Sequence, residues 1–228
     1  MNKTRLLPLL ILLLLLPARL LAQEYGHFDL SKVMEVTEKD GQFRAEISFS
    51  YLDRVLQDLQ SHAMDYPPRF DSVKDRKRAE ADVRKLDLML GVVLKQEGSP
   101  ELLWRAAQLS TMAYALDMPG AAQRAEVLFA QLLELKPKDG RAEYRFGLFL
   151  ASKGEPERAK VHLEKALTLG MMEAEFSLGQ VLRGMGQHEE AQRYLNHYHV
   201  THPDDERVAN LLATPSTSAG NTGSGKKG

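Results

Sequence analysis

Residues 140–171 read GRAEYRFGLFLASKGEPERAKVHLEKALTLGM, and this stretch decides the fold. Phe146-Gly147 stands seven residues before Gly154, Gly154 five before Ala159, and Leu163 and Ala166 follow at four and three. The same set recurs on both sides. Upstream it is Met112-Ala113, Gly120, Ala125, Phe129 and Leu132; downstream it is Leu178-Gly179, Gly186, Ala191, Leu195 and Tyr198. The offsets are 34 and 32 residues. Repetition at such a period marks a stacked array.

Each unit then reads as two antiparallel helices. Small residues of the Gly147 and Ala159 type let the two backbones approach closely. The turn glycine accepts a positive φ where the first helix ends. Pro137 and Pro203 close the second helices of units one and three, because proline lacks the N–H and restricts the residue before it. One hairpin cannot bury its apolar face alone, so neighbours share a continuous core.

This pattern resembles the tetratricopeptide repeat (TPR) family. The resemblance covers 106–139, 140–171 and 172–205, within an array over 99–205. It departs from the family in two places. Glu143 and Glu175 stand where an aromatic is usual early in the first helix, and Gly170-Met171-Met172 replaces the closing proline of unit two, with two residues missing. The resemblance implies an all-α solenoid of about three TPR hairpins. It also implies that the first helix of each unit lines a concave groove. Carried over by register, the groove residues are Tyr114, with Ser110 and Asp117, from unit one. Unit two gives Arg141, Tyr144 and Leu148. Unit three gives Phe176, Gln180 and Arg183, with Glu173. Tyr144 and Phe176 hold equivalent positions. They suit either a partner hot spot or packing between successive first helices.

Outward from the array, Ser99-Pro100 reads as an N-cap followed by proline at the first helical position, with Trp104 on the inner side. Ala79, Val83, Leu86, Leu90 and Val93 mark an amphipathic helix from about Ser72 to Gln96. Leu52, Val55, Leu56, Leu59 and Ala63 mark another, opened by Ser50 with Asp53 as a weak capping box. Together they form an N-terminal helical hairpin over 50–98. Val33–Phe49 alternates around Lys39-Asp40-Gly41, which signals a small β-hairpin; the alternative for 23–49 is an extended arm or a short helix. Residues 206–213 read as a capping helix. Residues 214–228 are Thr/Ser/Gly-rich and read as a disordered tail.

Residues 1–22, MNKTRLLPLLILLLLLPARLLA, have a basic start, an apolar run from Leu6 to Leu16, a break at Pro17 and a cleavage site before Gln23. They are read as a secretory signal peptide; the rival is an uncleaved anchor. A periplasmic or secreted protein is expected, with no integral span after cleavage. The only Asn-x-Ser/Thr sequon, Asn2-Lys3-Thr4, lies inside this segment, which points weakly to a bacterial envelope.

The whole chain of 228 residues carries a net charge of −1. Beyond residue 22, 27 basic residues face 31 acidic ones. That is a poor basis for nucleic-acid binding. The absence of cysteine excludes disulfides, Cys-based zinc sites and thiol nucleophiles. No catalytic motif is present, so an enzyme, a cofactor and a metal are not expected. His188, His197, His199 and His202 crowd unit three but lack ligand spacing, and are read as exposed imidazoles. The resemblance implies an exported interaction adaptor. It would hold a peptide or helix of a cell-envelope protein in its groove and scaffold a complex, and self-association is left open. The alternative is a periplasmic holdase-type chaperone.

Overall fold

The computed structural model describes residues 24–213 apart from 40, 65 and 97. The expected signal peptide, the expected tail and Asp40 of the hairpin turn lie outside the described residues. Among the described residues the order is a short 3-10 turn, Leu30–Lys32, then β1 (Met34–Lys39), β2 (Gln42–Ile47), α1 (Phe49–Ala63), α2 (Val73–Gln96), α3 (Pro100–Ala115), α4 (Ala121–Leu135), α5 (Gly140–Ser152), α6 (Pro156–Thr168), α7 (Ala174–Gly184), α8 (His188–Thr201) and α9 (Glu206–Ala213). Helices α3/α4, α5/α6 and α7/α8 pair as three hairpins, and α9 packs on α8. None of these helices is long and apolar enough to cross a membrane.

The hairpins close as the small residues require. A Cβ on Gly147 would lie 2.7 Å from Leu163 Cγ, and one on Gly179 2.5 Å from Leu195 Cγ. Real Cβ atoms do not approach so closely, so each glycine lets the second helix settle against the first. Helix α5 ends in a Schellman turn: Gly154 adopts φ 81°, and Glu155 N–H reaches back to Leu150 O at 3.0 Å. Gly186 (φ 75°) does the same after α7, with Gln187 N–H on Leu182 O at 2.9 Å. Gly170 (φ 89°) ends α6 likewise, through Met171 N–H on Ala166 O at 3.0 Å. This turn does the work of the proline that unit two lacks.

Unit one departs from the expected turn. The residue that leaves α3 with positive φ is Asp117 (φ 61°), and Met118 N–H closes the turn on Ala113 O at 3.0 Å. Asp tolerates this region better than most non-glycine residues. Gly120 is also left-handed (φ 72°), but it opens α4 instead.

The glutamates that replace the family's aromatic are buried, and each is held by a histidine from the second helix of its own hairpin. His162 Nδ1 donates to Glu143 at 2.6 Å, and Lys165 adds an ion pair. His197 Nδ1 donates to Glu175 at 2.7 Å. His202 stacks on Tyr198 at 4.2 Å. These two unit-three histidines are exposed, as the sequence reading expected, and each also has a partner.

The N-terminal lobe is built differently. Helix α1 opens at Phe49 from an N-cap at Ser48, two residues earlier than the expected Ser50. Asp53 does not cap it. Its carboxylate takes a bidentate contact from Arg105 of α3 at 2.6 and 2.7 Å, which docks α1 on the array. Ser72 and Asp75 cap α2, with Asp75 N–H on Ser72 Oγ at 3.1 Å and Ser72 Oγ–H on Asp75 at 2.9 Å.

Strands β1 and β2 pair antiparallel from Met34↔Ile47 to Lys39↔Gln42. Ala45 is buried, and Met34 and Ile47 pack on the lobe's core. Toward the tip, Val36 and Phe43 of the same face are exposed. Tyr25, ahead of the hairpin, is fully buried among Phe28, His62 and Phe70. It donates to Asp82 at 3.1 Å, while Arg78 lies over its ring and bonds its carbonyl. Burial, reinforced by Asp82, pushes the Tyr25 phenol far up. Burial also raises the Asp82 carboxyl, against the lowering effect of the Tyr25 hydroxyl.

Candidate functional site

The first helices α3, α5 and α7 share one face of the array, where two clefts adjoin. The first, of about 520 Å³, lies between α3 and α5. Gln108 and Thr111 come from α3; Arg145, Leu148, Phe149 and Ser152 come from α5. Phe129 forms part of the wall, and Met64 and Tyr66, from the α1–α2 connection, form the lip. The second cleft, of about 530 Å³, lies between α5 and α7 and is lined by Leu148, Ala151, Ser177, Gln180, Val181 and Gly184, with Gly154 and Pro156 at its edge. Leu148 belongs to both and forms the ridge between them.

Polarity is sparse here. Among the described residues, Arg145 is the only charged group lining the first cleft, and the second has none. The two aliphatic hydroxyls of the first cleft are turned to the backbone: Thr111 donates to Ala107 O at 3.1 Å, and Ser152 to Phe149 O at 2.7 Å. Neither meets a general base, so no activated nucleophile is assembled. Among the described residues, no three His, Asp or Glu side chains gather as metal ligands.

The seven expected groove residues are distributed unevenly. Leu148 and Gln180 line the clefts. Tyr144 bridges α5 and α7, its hydroxyl 3.4 Å from Ser177 Oγ. Tyr114 is half-buried and edge-on to Phe149, with centroids 5.6 Å apart. Arg141 lies 4.1 Å over the Trp104 ring, in a polar depression shared with Glu101, Lys136 and Asp139. Phe176 is sandwiched by Tyr198 at 5.4 Å and by Arg207 at 4.9 Å. Arg183 donates to Leu211 O of α9. The C-terminal cap thus occupies the last two. Ser110 is buried, and Asp117 pairs with Arg76 at 3.0 Å.

Sequence reasoning passed over Arg145, Gln108, Thr111, Ser152, Val181 and the lip residues Met64 and Tyr66. The signal available for Arg145 was its position four residues after Arg141, one turn along the same helix.

Stacked helical hairpins with clefts along their first helices form a solenoid. Residues 150–214 match the tetratricopeptide repeat family model, and the same hairpin geometry continues upstream through α3 and α4. The structure is similar to that of MamA, at 21% identity and a TM-score of 0.51, over 63% of this chain and 82% of that one. It is also similar to YrrB, described as a TPR protein with an unusual peptide-binding site, at 17% identity and a TM-score of 0.50, over 72% of this chain and 84% of that one. At these identities the likeness is one of fold. No curated protein matches the chain.

Proposed function

We propose that the protein is an exported adaptor that holds a peptide or helix of a cell-envelope partner across the two clefts and scaffolds a complex without catalysing a reaction. One observation carries this reading. The two adjoining clefts of α3, α5 and α7 leave Leu148 only partly buried and Gln180 exposed, with the core residue Val181 in their lining. A channel of this size, mostly apolar with a few polar groups, suits a peptide. The YrrB description supports peptide binding as a use of the same fold. The export component rests on the sequence of residues 1–22.

Affinity capture from solubilised envelope tests the reading, with the chain from Gln23 as bait beside a Leu148→Arg control of unchanged melting curve. One stoichiometric partner, lost with the control, is expected. Equal capture by both baits would overturn the groove assignment. Many weakly held clients, with suppression of aggregation of unrelated proteins, would favour the holdase alternative, for which the apolar ridge of Leu148 and Phe149 is the supporting feature.

A further inference from the structure

Several helical arginines have no carboxylate against them: Arg54 lies over Tyr51, Arg141 over Trp104 and Arg183 on Leu211 O, whereas Arg145 faces the first cleft. Arg76, Arg78, Arg105, Arg124, Arg158 and Arg207 each lie against a carboxylate. Arg145 is half-buried in the first cleft, and its one polar contact among the described residues is the Met64 thioether at 3.8 Å. A thioether is a weak acceptor, and a guanidinium carries five N–H donors in a planar fork. A partly desolvated cation with unused donors is stabilised by an anion that brings two oxygens. Around it the wall is apolar: Leu148, Phe149 and Phe129 on one side, with Met64 and Tyr66 at the lip.

We propose that the first cleft recognises an internal Asp or Glu of a partner segment, with the carboxylate on Arg145 and a neighbouring bulky apolar side chain against Leu148 and Phe149. The inference rests on the groove reading above and names its ligand chemistry. A basic segment is disfavoured, because it would face Arg145 with no carboxylate among the described lining residues to receive it. A segment interior is favoured over a chain terminus, because the cleft continues across Leu148 into the second one. The chain's own last fifteen residues, 214–228, contain no acid and no large apolar side chain, so they do not supply this ligand. Met64 is suited to the contact because an unbranched thioether adapts to different shapes.

The test uses the chain from Gln23 to Gly228 and a synthetic peptide library. Three adjacent positions are varied among aromatic, aliphatic, acidic, basic and amide residues inside a Gly/Ser frame. One set has amidated C-termini; in a second set the third varied residue ends the peptide with a free carboxylate. The amidated set is expected to enrich an acid beside an aromatic or aliphatic residue. Arg145→Gln should weaken the best peptide by about 10- to 100-fold, and Arg145→Glu should invert the preference toward basic peptides. Both variants must keep the wild-type melting curve.

Enrichment without an acid, or an acid preference that survives Arg145→Glu, would overturn the inference. If Leu148→Arg still abolished binding in that case, the groove reading would stand. Enrichment confined to free C-termini would overturn the internal-residue assignment. Binding indifferent to both Arg145 and Leu148 would overturn the inference and the groove reading together. No enrichment in either set would overturn the inference alone, since folded partners remain open to the groove.

Discussion

The repeat array and the N-terminal lobe are both helical, yet they are held together by different means. In the array the determinants are local and repeated: a small residue at each close approach, a left-handed residue at each turn, and an alanine facing back from the second helix. Each unit leans on its neighbours, so stability is distributed along the stack. In the lobe they are single and long-range. Tyr25 reaches Asp82 across 57 residues of sequence, and Gly26 N–H reaches the Asp58 carboxylate at 2.9 Å. A repeated local rule tolerates local loss; a single plug does not.

The largest expected effect follows from that difference. Tyr25→Ala should cost about 3–5 kcal/mol, through an emptied aromatic site and a buried Asp82 left without its donor. Amide hydrogen exchange should then rise across α1 and α2 and stay unchanged across α5–α8. Loss of protection throughout would show that lobe and array unfold as one unit.

Gly147→Val tests the array's rule. With Leu163 Cγ 2.7 Å from the added Cβ, overpacking should cost about 1–3 kcal/mol. Thermal unfolding measures the loss, and exchange should locate it in α5 and α6. Gly154→Val probes the turn. No neighbour lies within 4 Å of the added Cβ, so only the strain of φ 81° at a β-branched residue remains, at about 1–2 kcal/mol. An unchanged melting temperature would contradict the turn assignment.

The smallest effect distinguishes the two regions by pH. Glu126 of α4 is held below the ordinary carboxylate range, chiefly by its hydrogen bond from Lys153 and then by Arg158. Its folded-state value is depressed, so its contribution is present above the unfolded value and lost as pH falls through the folded one. Asp82 has the opposite sign. Its value is raised by burial, so its contribution is present at low pH and lost as pH rises through the folded value. Acid titration of stability should therefore narrow the gap between wild type and Glu126→Gln, and shift wild type favourably against Asp82→Asn. Each change should be about 1 kcal/mol or less.

These contrasts explain what could be read from the sequence. The array was legible because a close approach or a left-handed turn imposes a residue type at a fixed offset. The turn of unit one was misplaced because Asp117 satisfies the same backbone requirement without being glycine, while Gly120 stands three residues on. The cleft face was only partly legible. Repeat register identified Leu148 and Gln180 on it, but not which of the other positions the end of the array consumes. Phe176 and Arg183 are taken up by Tyr198, Arg207 and α9 because no fourth hairpin follows unit three among the described residues. Arg145 carried only its position one turn after Arg141; the cleft around it and the absence of an acid in the lining come from the fold. Tyr25 lies in a stretch with no periodicity, so its burial followed only from the fold.

The most direct test of the account is site-specific photo-crosslinking in the source cell, with a photoreactive residue at Ser152 or Gln180 in the clefts and at Val161 on α6 as reference. The account predicts one discrete adduct from the two cleft positions and none from Val161, with the adduct lost on Leu148→Arg. An adduct from Val161 alone, or one from the cleft positions that survives Leu148→Arg, would contradict it.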